Sequence, residues 1–255
     1  MSPKLYKKKL ERLAYRSFVN ALQFNNDSAV LLMLGSFPAA AFMSAHAQEE
    51  MGKFFLIDDL CIDIDDDAKT PEEAENYLQK NIMRDHVLKQ FFFGISVGKI
   101  SQFEKYVNNP RTIQELRNQS LYTTYDTKTG RAGYPSKGVT VSKALYQIRF
   151  VNGALMELLH YAYVKQHNGK VDDESFGLEN NTVMNDFYMV DEACARMHYY
   201  KNGDKIEVDR ELLEYFELVK NNTQEQEKQL KASFKLYLAC RRYQGHRKVR
   251  RFVKY

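Results

Sequence analysis

The chain has 255 residues, enough for one large or two small domains, and its 44% hydrophobic and 27% charged residues exclude a disordered polymer. Five prolines and twelve glycines point to a mostly helical protein, and 17 Tyr with 16 Phe supply the large buried surfaces that the missing tryptophan would otherwise give. The net charge of +4 is unevenly placed: no acidic residue follows Glu227, whereas Lys228, Lys231, Lys235, Arg241, Arg242, Arg247, Lys248, Arg250, Arg251 and Lys254 do, leaving the remainder net acidic.

The opening MSPKLYKKKLERLAY is basic but has no apolar run of the secretory kind, and no uninterrupted apolar stretch reaches the length of a membrane span. A cytoplasmic protein with no membrane association is the resulting expectation. Cys61, Cys194 and Cys240 are too far apart for a disulfide framework or a zinc pattern.

In chain order, residues Leu5 to Leu34 read as helix, with Leu10, Leu13, Ala14, Phe18, Ala21 and Leu22 at spacings of three and four. Asn25, Asn26 and Asp27 mark either a break or a polar turn of one long helix. Gly35, Ser36 and Pro38 form a hinge into a second, antiparallel helix.

That second helix, Ala39 to Leu60, is the stretch around which the chain is organised. At about 100° per residue it places Phe42, His46, Glu49, Glu50, Lys53, Ile57 and Leu60 on one face, with Ser44, Gln48, Asp58 and Asp59 opposite. Two carboxylates, an amine and an imidazole therefore lie inside an apolar stripe, where ionised groups need partners. Glu49 and Lys53 are spaced for a local pair; His46 and Glu50 require partners from elsewhere.

Asp63, Asp65 and Asp67 have the opening spacing of a calcium loop, but Ala68 and Ala74 stand where glycine and the bidentate glutamate belong, so a solvated loop is expected. Thr70, Pro71, Glu72 and Glu73 make a strong helix start. The helix they open is expected to run to about Val107, with Ile82, His86, Lys89, Gln90, Phe93, Val97 and Ile100 on one face. Its imidazole and amine repeat the earlier anomaly, and the simplest packing sets His86 and Lys89 against Glu49 and Glu50. Such a cluster is either a prepared acid-base centre or a buried polar network that fixes helix register.

Between Asn108 and Gly138 the pattern loosens into loop or short extended structure, such as a hairpin. Helices resume at Thr140 to Lys165, Asn180 to Tyr200, Asp209 to Asn221 and Thr223 to Arg242. His160 reads as a core or surface histidine and His167 as loop. The division expected is a helical bundle over residues 1–165 and a C-terminal helical extension with a basic tail over 166–255, packed on the bundle.

Together Ala14, Asn20 and Ala21, the segments AQEEMGKFFL and DHVLK, and the loop SLYTTYDTKTGRAGYP resemble the AbiV type of abortive-infection protein. The pattern is an EE-x-GK segment (Glu49, Glu50, Gly52, Lys53), a downstream H-x-x-K (His86, Lys89) and a loop marked by Leu121, Tyr122, Tyr125 and Pro135, covering about residues 10 to 165. This resemblance implies an all-α, HEPN-like antiparallel helical bundle with additional C-terminal helices, commonly a homodimer. It also implies antiphage defence that shuts down gene expression in infected cells, by metal-independent RNA cleavage or by interference with translation. Implied partners are RNA or the translation machinery, with a phage protein as a possible activator and no cofactor.

The candidate catalytic residues are Glu49, Glu50, Lys53, His86 and Lys89. A second candidate pair, Arg241 and His246 in RRYQGH, fits the R-x4-6-H pattern of HEPN ribonucleases. Arg242, Arg247, Lys248, Arg250 and Arg251, in a segment where arginine and tyrosine are interleaved, are candidate RNA contacts, although a solvated basic arm reads at least as well. Two other classes stay open: a non-catalytic helical protein acting through a complex with a phage or host protein, and a carboxylate-bridged metal enzyme. The chain lacks the Glu-x-x-His pairs of the latter, so no metal ligands are assigned.

Overall fold

A computed structural model describes residues 2–101, 110–121, 124–126, 131–133, 135–166, 182–199, 210–221, 227–232 and 234–235. Helices α1 (Pro3–Met33) and α2 (Phe37–Asp65) form the central hairpin. Ser2 and Pro3 start α1, the Ser2 hydroxyl accepting from the Leu5 amide. At its other end Gly35 adopts φ +73°, the Gly35 amide donates to the Leu32 carbonyl and the Ser36 amide to that of Leu31. This glycine-centred cap reverses the chain within a few residues. The helices run antiparallel, with Lys7 near the start of α1 bonded to Asp65 at the end of α2.

Asn25, Asn26 and Asp27 do not break α1. Asn25 and Asn26 are buried, and they belong to a polar belt between two apolar cores. One core gathers Phe18, Met51, Phe54, Phe55, Phe93, Phe150 and Phe187; the other gathers Ala29, Leu32, Ala40, Ile148, Val190, Cys194 and Phe216. Across the belt Asn25 Nδ2 donates to Asn152 Oδ1 at 2.7 Å, and Asn152 Nδ2 donates to the Phe187 carbonyl and to Asp191 Oδ1. Nearby, Gln147 Nε2 donates to Gln48 Oε1 and Ser44 Oγ to the Gln147 carbonyl. Ser44, Gln48 and Asp58, expected on a polar outer face, are thus buried. The wheel misplaces them because α2 is enclosed by α1 and the later helices and has no broad solvent face.

Helix α3 (Pro71–Tyr77) begins with the expected capping box, Thr70 and Glu73 each holding the other's backbone. The expected single helix to Val107 is instead divided: a π-helical turn, Leu78–Ile82, follows, and α4 (His86–Ser101) starts afresh. Asp85 Oδ1 accepts the Leu88 amide at 2.9 Å and so opens α4. Of the three aspartates with calcium-loop spacing, Asp63 is bonded to Lys69 and Asp65 to Lys7.

Part of the region expected as loop is helix α5 (Pro110–Leu121), followed by a two-stranded hairpin, β1 (Thr124–Asp126) and β2 (Arg131–Gly133), with Tyr125 opposite Ala132. Helices α6 (Pro135–Gly138), α7 (Val141–Gln166), α8 (Thr182–Tyr199) and α9 (Arg210–Asn221) complete the labelled elements of this predominantly helical bundle. Helix α8 packs on α1 and α7. Residues 227–232 are helical, and Phe234 beyond them lies against Tyr15, Phe18 and Phe54, with ring centroids 5.1 to 5.9 Å apart. Cys61 and Cys194 are buried free thiols, and burial pushes the pKa of both up to about 12. Among the described residues no helix is long and apolar enough to cross a membrane.

Candidate functional site

The α2–α4 crossing is unusually close because residue 52 is glycine. A Cβ at Gly52 would lie 1.8 Å from the Lys89 carbonyl oxygen and 2.6 Å from its carbon, so only glycine admits the α4 backbone there. Glu49 and His86 each stand three residues, nearly one helical turn, before this contact. The crossing therefore sets the imidazole against the carboxylate.

Glu49 is the hub of the cluster. It is 2% exposed, and its Oε2 lies 2.7 Å from His86 Nδ1. A carboxylate in its ionised form can only accept, so in that form the bond is donated by Nδ1–H and Nε2 is the ring nitrogen left for proton exchange. Gln90 Nε2, one turn further along α4, donates to Glu49 Oε1 at 3.0 Å. From α5 the Arg117 Nε comes within 3.5 Å of the same oxygen, and His46 Nδ1 stands 3.7 Å from Oε2. His46 is set edge-on to Phe42, with centroids 4.2 Å apart, and the Arg117 guanidinium carbon is 5.9 Å from the same phenyl ring centroid. Burial holds the His46 imidazole below its ordinary pKa, against the opposing pull of Glu49.

The expected Glu49–Lys53 pair does not form. Lys53 Nζ instead donates to both oxygens of Glu50, 3.1 Å each, because Glu49 is turned between α4 and α5 and taken up there. Lys89 is brought to the cluster but not into a bond. It is 5% exposed, and among the described residues its ammonium makes no hydrogen bond or ion pair. Burial lowers its pKa, opposed by Glu49 and reinforced by Lys53. The side chain of His86 is 38% exposed and forms the solvent-facing edge of the group.

Glu49, Glu50, Lys53, His86 and Lys89, singled out in the sequence, thus meet at one crossing. Arg117 and Gln90 join them: in the sequence Gln90 reads only as a face residue, and Arg117 is hidden because its segment looks irregular. The signal for Arg117 is present in Pro110 as a helix-starting residue followed by Ile113, Leu116 and Ser120 at helical spacing. Arg241, Arg242, His246, Arg247, Lys248, Arg250 and Arg251 lie outside the described residues, as do Tyr122, His167 and Cys240. Among the described residues no group of three or more His, Cys, Asp or Glu side chains is placed to hold a metal ion.

Comparison with curated proteins and comparison with solved structures each give no match. A family model of the HEPN group, described as AbiV, matches residues 9–152, more than half of the chain, and this span holds α2, α4, α5 and every residue of the Glu49 cluster. With its close α2–α4 crossing and its EE-x-GK and H-x-x-K segments in one structure, the chain belongs to the AbiV family of HEPN-type proteins.

Proposed function

We propose that this protein is an antiphage abortive-infection effector that shuts down gene expression in infected cells, with the Glu49 cluster as its functional centre. The observation that carries this reading is the buried Glu49 carboxylate bonded to a partly exposed histidine at 2.7 Å. The bond alone would equally suit a network that only fixes helix register; what favours a functional centre is that the ring Glu49 holds reaches solvent. In RNA cleavage His86 Nε2 removes the 2′-hydroxyl proton or protonates the leaving oxygen, Glu49 holds the ring, and the cations beside it offset charge developing on the phosphate. In interference with translation, the same surface docks on RNA of the translation machinery without bond breakage. Arg241 and His246 remain a second candidate pair for cleavage, and the basic segment around them an RNA contact.

Expression in bacteria, with total RNA integrity and protein synthesis followed together, tests this. Loss of both in the wild type, restored in His86→Ala, supports cleavage; loss of synthesis with intact RNA supports blockade. Continued loss in a folded His86→Ala protein removes the centre from its role.

A second reading, a non-catalytic helical protein acting through a complex with a phage or host protein, has its own support. Val87 and Phe91, one turn apart on α4, and Met83 at the end of the π-helical turn are exposed apolar residues close to His86 in the chain. It predicts intact RNA at any dose and a stable complex recovered from infected cells. A homodimer is also proposed, and sedimentation of the purified chain tests it.

A further inference from the structure

The Glu49 cluster has more cations than its carboxylates can serve. Glu50 gives both oxygens to Lys53. Glu49 gives one to His86 and the other to Gln90. What remains is a buried lysine, Lys89, whose ammonium has no hydrogen bond or ion pair among the described residues, and the buried Arg117 Nε, whose hydrogen has no acceptor although Glu49 is nearby. With Lys53, Lys89 and Arg117 against Glu49 and Glu50, the group carries one surplus positive charge before either histidine is protonated. Lys89 also sits in the first turn of α4, the positive end of the helix, where a cation is disfavoured and an anion welcome.

A buried donor such as the Arg117 Nε is costly unless an acceptor reaches it, and Lys89 adds a mostly buried side chain whose ammonium has no protein partner among the described residues. An acceptor that satisfies a planar guanidinium and an ammonium together has several oxygens and negative charge. We infer that Arg117 and Lys89 form a seat for a phosphate group, entered past the exposed edge of His86. The inference rests on the Glu49 cluster being a functional centre and adds to it the class of ligand and a residue, Arg117, that binds it. A phosphate seated there lies beside the histidine that handles protons, and Gly52 keeps the α4 backbone near enough to deliver Lys89.

Purified full-length protein is titrated with inorganic phosphate at constant ionic strength against chloride, and thermal stability is read. The wild type is expected to gain stability saturably. Lys89→Met and Arg117→Lys are each expected to bind phosphate roughly tenfold to hundredfold more weakly, the loss of one charge-assisted bond. Lys89→Met keeps the volume and removes a buried amine, so it folds at least as well as the wild type; Arg117→Lys keeps the charge and loses the fork. His86→Ala is expected to retain phosphate binding, which separates the seat from the proton-handling role. Competition by a short single-stranded RNA assigns the phosphate to a nucleic acid, and competition by a mononucleotide alone assigns it to a free nucleotide. A wild-type response no greater than that to chloride, or an equal response in the folded Lys89→Met and Arg117→Lys proteins, overturns the inference. Phosphate binding with a dispensable His86 in the expression test would instead leave the seat standing and remove the function built around it.

Discussion

Replacing Gly52 by alanine is the most exacting perturbation of the α2–α4 crossing. In an open helix interior the change is favourable by about 1 kcal/mol, since alanine restricts the unfolded backbone and suits the helix. Here the added carbon would meet the Lys89 carbonyl oxygen at 1.8 Å and its carbon at 2.6 Å. Both are backbone atoms of a helix, not the end of a side chain that can swing away. To restore ordinary contact, α4 must retreat by roughly 1 to 2 Å at this point. Overpacking of that order costs about 1–3 kcal/mol, so the expected outcome is net destabilisation where propensity alone predicts a gain. The same retreat lengthens the 2.7 Å bond between His86 and Glu49. Chemical denaturation of Gly52→Ala gives the sign of the stability change, and phage plating gives its effect on function. A variant that is more stable than wild type and equally protective would refute the close crossing and the dependence of the site on it.

The packing of the later helices sets two further expectations. Burial pushes Asp186 up to about 6 from its ordinary 3.8, while Asn26 and Tyr215 donate to it and oppose the rise. With the folded value raised, the stabilisation is complete below the unfolded value, near pH 4, and is lost as pH rises through about 6. The stability of Asp186→Asn relative to wild type should therefore increase over that interval by on the order of 2–3 kcal/mol; a constant difference across the interval would contradict it. Phe234 packs on Tyr15, Phe18 and Phe54, so Phe234→Ala should cost about 3 kcal/mol in a denaturant melt. A change below about 0.5 kcal/mol would place that ring outside the core.

How far the sequence can be read depends on whether a residue's partner is local. The capping box at Thr70 and Glu73 and the glycine turn at Gly35 use neighbours in the chain, and both are legible. Polar residues in an apolar stripe also point correctly to α2 and α4, because such placement needs a partner whatever the fold. The partner's identity is harder: Lys53 stands four residues after Glu49 and three after Glu50, and only the direction in which α4 and α5 draw Glu49 decides between them. Ser44 and Gln48 look solvent-facing because a wheel compares residues within one helix and cannot tell that α2 is enclosed. Asn25 could mark a break, and what keeps α1 continuous there is Asn152, more than a hundred residues away. Arg117 escapes notice because polar residues and a proline weaken the pattern of α5, whose placement depends on α2 and α4.

Glu49 is the residue on which the proposed centre depends, and its most direct test is phage plating on cells carrying Glu49→Gln. Glutamine keeps the shape and can still accept from Gln90, but it removes the charge that orients His86 and faces Arg117. The prediction is a folded protein, verified by its thermal melt, that no longer reduces plaque formation. Protection equal to wild type by that folded variant would contradict the claim that the carboxylate at this crossing does the work of the protein.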